Sequence, residues 1–201
     1  MSYVWSKRFQ KPVTFKGRYF NKDPSVNWKP FIPIENQQIQ YLEIGCADGG
    51  NVIHIAKSYA KHPNSFIYCV DPWFDYDDYD EYKGQQDLAW NNFNYNVKLY
   101  ESKLKIYRGL SDDIVPTFQD NFFDIIYVDG NHETEYVYRD GIMAYNKCKS
   151  GGYIIFDDYS SQPYIWPQTK KGIDMFLDEY KDKIQILSID NNFLQVIIRK
   201  I

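Results

Sequence analysis

"LEIGCADGGN", residues 42–51, decides the fold. Leu42, Glu43 and Ile44 continue a run of strand formers that begins at Tyr41 and stops at Gly45. Gly45 and Gly49 permit a tight turn and a close approach of backbone to a ligand. Asn51 then opens "NVIHIAKSYA" (51–60), in which Val52, Ile55, Ala56 and Tyr59 share one face at helical spacing. Strand, glycine turn and helix start, in that order, form the first unit of an open α/β sheet. The turn is not the dinucleotide fingerprint. G-x-G-x-x-G requires a glycine where Ala47 stands, which disfavours a pyrophosphate guest and with it a dinucleotide-dependent reductase.

The same alternation continues outward. "SFIYCVD" (65–71), "KLKIYRG" (103–109), "FFDIIYVD" (122–129) and "GGYIIFDD" (151–158) read as further strands, separated by helical stretches near 85–103, 111–119, 133–148 and 169–181. Helix-length crossovers imply a parallel sheet covered on both faces. The tail differs, because "IQILSID" and "FLQVIIRK" are joined only by "NN", which predicts an antiparallel hairpin. The expected fold is therefore α/β: a Rossmann-like, doubly wound, mostly parallel seven-stranded sheet ending in an antiparallel hairpin. Residues 39–201 make up this domain, and residues 1–38, with aromatics and four prolines but no clean period, are expected to pack on it as an extension.

Composition narrows the partners. Lys and Arg number 23 against 27 Asp and Glu, a net charge of -4, so the basic footprint of a nucleic-acid binder is missing. Cys46, Cys69 and Cys148 are odd in number and lack metal-finger spacing, which fits reduced thiols and a cytoplasmic address. No apolar run approaches the ~18 residues that span a bilayer, and a membrane partner is not expected. A homodimer is compatible with the sequence, which does not decide oligomeric state.

In a sheet of this kind ligands sit beyond the carboxyl ends of the strands. Asp71 ends the second strand, where an acid commonly holds ribose hydroxyls; the plainer alternative is that Asp71-Pro72 starts a turn. Trp73 beside it either stacks on a base or caps the core. Ser111 and Asp112 open a helix and can serve as its caps, and Ser111 can also face an adenine edge. "IIYVDGNHE" (125–133) carries Asp129 and His132 off the end of a buried strand, and "YIIFDDY" (153–159) does the same with Asp157 and Asp158. "DPWFDYDDYDEYKG" (71–84) alternates acids with tyrosines; a lid over a hydroxylated acceptor and a solvated acidic loop are equally good accounts of it.

The series E-x-G-x-x-x-G (43–49), Asp71, G-x-S-x-D (109–113), "VDGNH" (128–132) and "GGYIIFDDY" (151–159) resembles the class I S-adenosylmethionine-dependent O-methyltransferases. It is most similar to the metal-dependent branch that includes the macrolide-sugar methyltransferases, with catechol O-methyltransferase more distant. The resemblance spans about residues 41–180; the hairpin also fits, and residues 1–38 match nothing in it. It implies S-adenosylmethionine as cofactor, with Glu43 in the binding motif, Gly45, Cys46 and Asn51 along the methionine part, and Asp71 on the ribose. Trp73 would border the adenosine, Ser111 with Asp112 would meet the adenine, and Asp129 would adjoin the cofactor. It also implies a magnesium-type ion on Asp129, Asp157 and Asp158.

Elementary chemistry supports that last implication. Three unpaired carboxylates in a partly buried cleft would raise one another's pKa, and hard divalent cations prefer oxygen ligands. The duller reading is a set of helix caps and surface acids. His132, expected at the start of helix 133–148, would be held neutral by the positive end of the helix dipole and could accept a proton. The resemblance also offers the first ion-binding acid as base, so Asp129 and His132 are joint candidates, with His132 equally readable as an orienting hydrogen-bond partner. The expected reaction is methyl transfer from S-adenosylmethionine to a hydroxyl of a small polar acceptor, a sugar or nucleotide-sugar by preference. A catechol-like phenol is the enzymatic alternative, and a non-catalytic S-adenosylmethionine-binding module is the alternative of another class.

Overall fold

The structure, a computed structural model, describes residues 15–17, 23, 25–34, 36–76, 80 and 82–201. Parts of the expected extension (1–14, 18–22, 24 and 35) and of the acid-tyrosine loop (77–79 and 81) lie outside the described residues.

Seven strands form one sheet: β1 (Gln40–Ile44), β2 (Phe66–Asp71), β3 (Leu104–Arg108), β4 (Phe123–Val128), β5 (Cys148–Phe156), β6 (Ile184–Asp190) and β7 (Gln195–Lys200). Their order is β3-β2-β1-β4-β5-β7-β6, and only β7 runs against its neighbours β5 and β6. Strand order reverses between β1 and β4, which is where such sheets bind ligands. Among the described residues six helices accompany the sheet: α1 (Ser25–Trp28), α2 (Gly50–Lys57), α3 (Gln86–Val97), α4 (Ser111–Ile114), α5 (Thr134–Lys147) and α6 (Pro167–Tyr180).

Because successive strand side chains point to opposite faces, the sheet builds two cores. Tyr41, Cys69, Ile125, Tyr127 and Ile155 face one layer, where Trp28 and α2 pack. Leu42, Val70, Ile126, Ile154 and Phe156 face the other, under Val137 of α5 and Phe176 of α6. Trp28 is fully buried against Tyr59 and Tyr127, so at least this part of the first 38 residues is core rather than covering.

Two local expectations are revised. Regular helix ends at Val97, with a 3₁₀ stretch to Lys103, and α4 gives way to a 3₁₀ turn at Val115–Thr117. Pro116, which has no amide hydrogen to donate, sits in that turn. The hairpin turn is also longer than "NN": residues 191–194 separate β6 from β7. Asp190 Oδ1 accepts from the amides of Asn192 (2.7 Å) and Phe193 (3.1 Å), a local side-chain turn that draws Phe193 and Leu194 into the wall of a cavity.

Candidate active site

Register explains why the acids converge. Ile44 pairs with Val128, and Val128 with Phe156, so the residues that follow these strands emerge at one level. The Asp129 amide donates to Ile44 O (2.8 Å), the Asp157 amide to Val128 O (3.0 Å) and the Gly45 amide to Val70 O (2.9 Å). Gly45 holds φ 83°, and a Cβ built there would lie 1.8 Å from Asp129 O. Only glycine lets the two strand ends approach this closely.

Beyond this edge lies a cavity of about 960 Å³. Pockets for small molecules usually span about 300–1,000 Å³, so a cofactor and a second small molecule can share it. Glu43, Gly45, Cys46, Asn51 and Asp71 line one side, Ser111 and Asp112 another, and Asp129, His132, Asp157 and Asp158 the floor.

Each carboxylate has a distinct setting. Glu43 lies inside β1, accepts from Tyr41 Oη (2.7 Å) and Asn51 Nδ2 (2.8 Å), and is pushed by burial from its ordinary 4.5 up to about 8. Asp71 accepts three backbone amides: Cys46 (2.8 Å) and Ala47 (2.9 Å) on Oδ2, and Trp73 (2.9 Å) on Oδ1. A carboxylate offers about four acceptor positions, so Asp71 mainly ties the glycine turn to β2 and keeps one for a ligand. Burial raises its pKa, and those three amides oppose the shift. Asp112 is paired with Arg139 at 2.7 Å. Burial raises the Asp129 carboxyl well above its ordinary 3.8, and the charges of Asp157 and Asp158 add to the effect.

Two of the three expected ion ligands, Asp129 and Asp158, come together with His132. Asp129, His132 and Asp158 each bring a ligand atom within 4.8 Å of the others. His132 Nε2 is 3.1 Å from Asp158 Oδ2, and Asp158 adopts φ 56°, a left-handed conformation that aspartate tolerates better than most residues. Asp157 lies beside this group, but its Oδ2 accepts from Tyr127 Oη at 2.5 Å. Tyr127 Oη in turn accepts from Gln195 Nε2 (3.4 Å), whose Oε1 accepts from Trp28 Nε1 (2.9 Å). Asp157 is thus anchored from behind. His132 precedes α5 by two residues, near the helix end where it was expected, with its ring 4.2 Å from that of Trp166.

Trp73 requires correction. The expectation placed it against the adenosine, but it is fully buried, packs on Trp90 and Phe93, and donates from Nε1 to Ala47 O at 2.9 Å. It supports the glycine turn from below and does not line the cavity; of its two sequence readings, the core cap is right.

With this geometry in place, the relatives can be compared. Residues 42–159 match the family described as methyltransferase domain. The chain belongs to that family. This methyltransferase domain is 30% identical over 146 residues to an uncharacterized protein of Acanthamoeba polyphaga mimivirus, covering 70% of the present chain and 60% of the mimivirus protein. It superimposes on the O-methyltransferase NovP with a TM-score of 0.61 at 20% identity, covering 82% of this chain and 73% of NovP. It also superimposes on TomG from Streptomyces achromogenes with a TM-score of 0.62 at 12% identity, covering 88% and 77%. The fold is that of the class I S-adenosylmethionine-dependent O-methyltransferases.

Several residues of the cavity wall were not singled out from sequence. Asp48 accepts from Asn92 Nδ2 (3.0 Å) and lies against Gly17, where a Cβ would meet its carboxyl at 2.3 Å. Asn131 Nδ2 donates to Tyr76 Oη (3.2 Å), while Tyr136, Trp166 and the 192–195 turn complete the wall. Tyr76 and Tyr82 belong to the acid-tyrosine loop and do line the cavity. The tyrosine-rich loop signalled Tyr76 and Tyr82; nothing in the spacing signalled Asp48, Asn131, Tyr136, Trp166 or Gln195.

Proposed function

We propose that the protein transfers a methyl group from S-adenosylmethionine to a hydroxyl of a small polar acceptor of the sugar class, with help from a magnesium-type divalent ion. The observation that carries this reading is the meeting of Asp129, His132 and Asp158 beside the Gly45 turn in one cavity. TomG, a protein of the same fold, is described in complex with S-adenosylmethionine and as involved in tomaymycin synthesis, which supports the cofactor assignment.

The donor set fits a divalent cation. Two carboxylates and an imidazole lie within reach of one point, and no lysine or arginine among the described residues lines the cavity to neutralise them. Asp129, Asp158 and His132 would hold the ion, which when bound supplies a Lewis acid for the alkoxide developing on the acceptor. Asp157, restrained by Tyr127, would keep Asp158 and the strand end in place. A carboxylate oxygen of Asp129 left free by the ion, or His132 where the acids alone hold the ion, would take the hydroxyl proton. The glycine turn and Asp71 would fix the sulfonium in line with the acceptor oxygen, a positioning effect on which transfer depends heavily.

The test is thermal and chemical. S-adenosylhomocysteine at 100 times its Kd should stabilise the protein by about 2.7 kcal/mol, or roughly 5–11 °C for a chain of this length. Asp71→Asn should remove that shift. An unmoved melting curve would count against a methyltransferase, and full turnover of an acceptor in chelator would remove the ion from the reaction. Cofactor binding without consumption across an acceptor library would favour a binding module instead.

A further inference from the structure

The charge of the cavity wall says something about the acceptor that the fold does not. Among the described residues, seven lining side chains are Asp or Glu, and none is Lys or Arg. Arg139 neutralises Asp112 from outside, Glu43 keeps its proton up to about pH 8 and Asp48 is held by Asn92, which leaves Asp71, Asp129, Asp157 and Asp158. A divalent ion and a donor with one net positive charge bring three positive charges to this wall, so an acidic excess remains with both in place. Charges focused in a low-dielectric cleft act on whatever enters it. Phosphates are ordinarily received by arginine forks, by lysine or by open helix N-termini. Arg108 and Arg139 do not line the cavity: the first donates to Trp73 O (2.6 Å), and the second pairs with Asp112 and lies over the Tyr136 ring.

The wall near His132 has a second property. Tyr76 and Trp166 flank the Asp129–His132 loop, Tyr76 through Asn131 and Trp166 by packing on His132, and Tyr136 lies with them. Aromatic faces attract ammonium groups, by about 0.5–1 kcal/mol when exposed and 2 or more when desolvated. Acids and aromatic rings together favour a cation and disfavour an anion.

We propose that the acceptor is a hydroxyl compound bearing a protonated amine, of the amino-sugar class, rather than a phosphorylated or nucleotide-linked sugar. This rests on the reading of the preceding subsection, in which the acceptor hydroxyl meets the ion held by Asp129, His132 and Asp158.

Catechols test it without knowledge of the natural acceptor, since two adjacent hydroxyls chelate a divalent ion whatever their third substituent. The full chain, loaded with magnesium and S-adenosylhomocysteine, is titrated by calorimetry with dopamine, 4-methylcatechol and 3,4-dihydroxyphenylacetate, which carry a cation, no charge and an anion respectively. Dopamine should bind roughly tenfold more tightly than the carboxylate, with the neutral compound between them. The ratio should shrink as salt rises from about 0.01 M to about 0.15 M and the screening length falls from about 30 Å to about 8 Å. Equal or tighter binding of the carboxylate at low salt would overturn the proposal while leaving the methyltransferase reading intact. Binding of none of the three, with ion and S-adenosylhomocysteine both bound, would show that the ion does not face the acceptor and would sink both.

Discussion

The two ends of the sheet treat buried charge in opposite ways. At the amino end, Lys147 Nζ donates to Pro116 O, Phe118 O and Asp120 Oδ1, and Lys200 Nζ to Asn121 Oδ1, Tyr145 O and Cys148 O, so each ammonium has three acceptors. Lys149 meets Asp124, which also accepts from the Gln40 amide. At the carboxyl end, Glu43, Asp71, Asp129 and Asp157 are all raised in pKa, with burial the first cause in each case. The fold completes one end with its own partners and leaves the other to be completed by ligands. Buried charges without counter-charges cost stability, which is the arrangement expected of a site that ligands complete.

That contrast can be broken from either side. The largest effect expected is on turnover: Asp129→Asn should reduce it by about 10³-fold, within the range lost when a positioned base goes. The same change should raise the melting temperature of the ligand-free protein by a few degrees, because one crowded carboxylate is gone. A drop in that temperature would mean Asp129 is structural. Next in size is Lys200→Met at the opposite end. It strands two buried carbonyls and an amide oxygen and should cost about 3 kcal/mol, or roughly 6–12 °C, with turnover per folded molecule unchanged. A third effect is pH dependence. Glu43 ionises near its ordinary 4.5 in the unfolded chain but near 8 in the fold. In that window the unfolded state binds fewer protons, so stability must fall as pH rises from about 4.5 to about 8 and then level off. Melting scans at intervals across it should show that decline without ligand. Magnesium and S-adenosylhomocysteine together should flatten it, and a decline unchanged by both would mean that the acidic end does not receive them.

The sheet, its mostly parallel sense and its C-terminal hairpin were legible in the sequence because each rests on a local pattern, such as the period-2 run at Tyr41–Ile44 followed by Gly45. The strand-end acids were legible for the same reason: a carboxylate directly after an apolar strand emerges at the ligand edge. What could not be read was how neighbours divide the work. Asp157 and Asp158 are adjacent in sequence, yet Tyr127 takes the first while the left-handed backbone at 158 turns the second toward His132. Trp73 followed an acid expected on the ribose, and only the packing of Trp90 and Phe93 shows it facing inward. The 192–195 turn and Trp166 reach the cavity from far along the chain, and no spacing rule connects them to Asp129.

The smallest expected effect separates acids that ligands can reach from one that they cannot. Asp140 on α5 is buried, hydrogen-bonded with Ser111, and pushed from its ordinary 3.8 up to about 7 by burial, with help from Asp112. It lies behind Gly130 and does not line the cavity, so a bound ion or cofactor gives it little direct counter-charge. By the same sign as for Glu43, it should lower stability progressively between about pH 4 and pH 7. That portion should persist when magnesium and S-adenosylhomocysteine are present. Asp140→Asn should therefore remove a residual slope in the saturated protein, of up to about 2 kcal/mol between pH 5 and pH 7, or roughly 4–8 °C of melting temperature, while the ligand-sensitive slope of the unliganded protein stays. If the saturated wild type already melts at one temperature across that range, Asp140 is being neutralised through Ser111 by what binds above it, and the boundary between scaffold and site moves one layer deeper into α5.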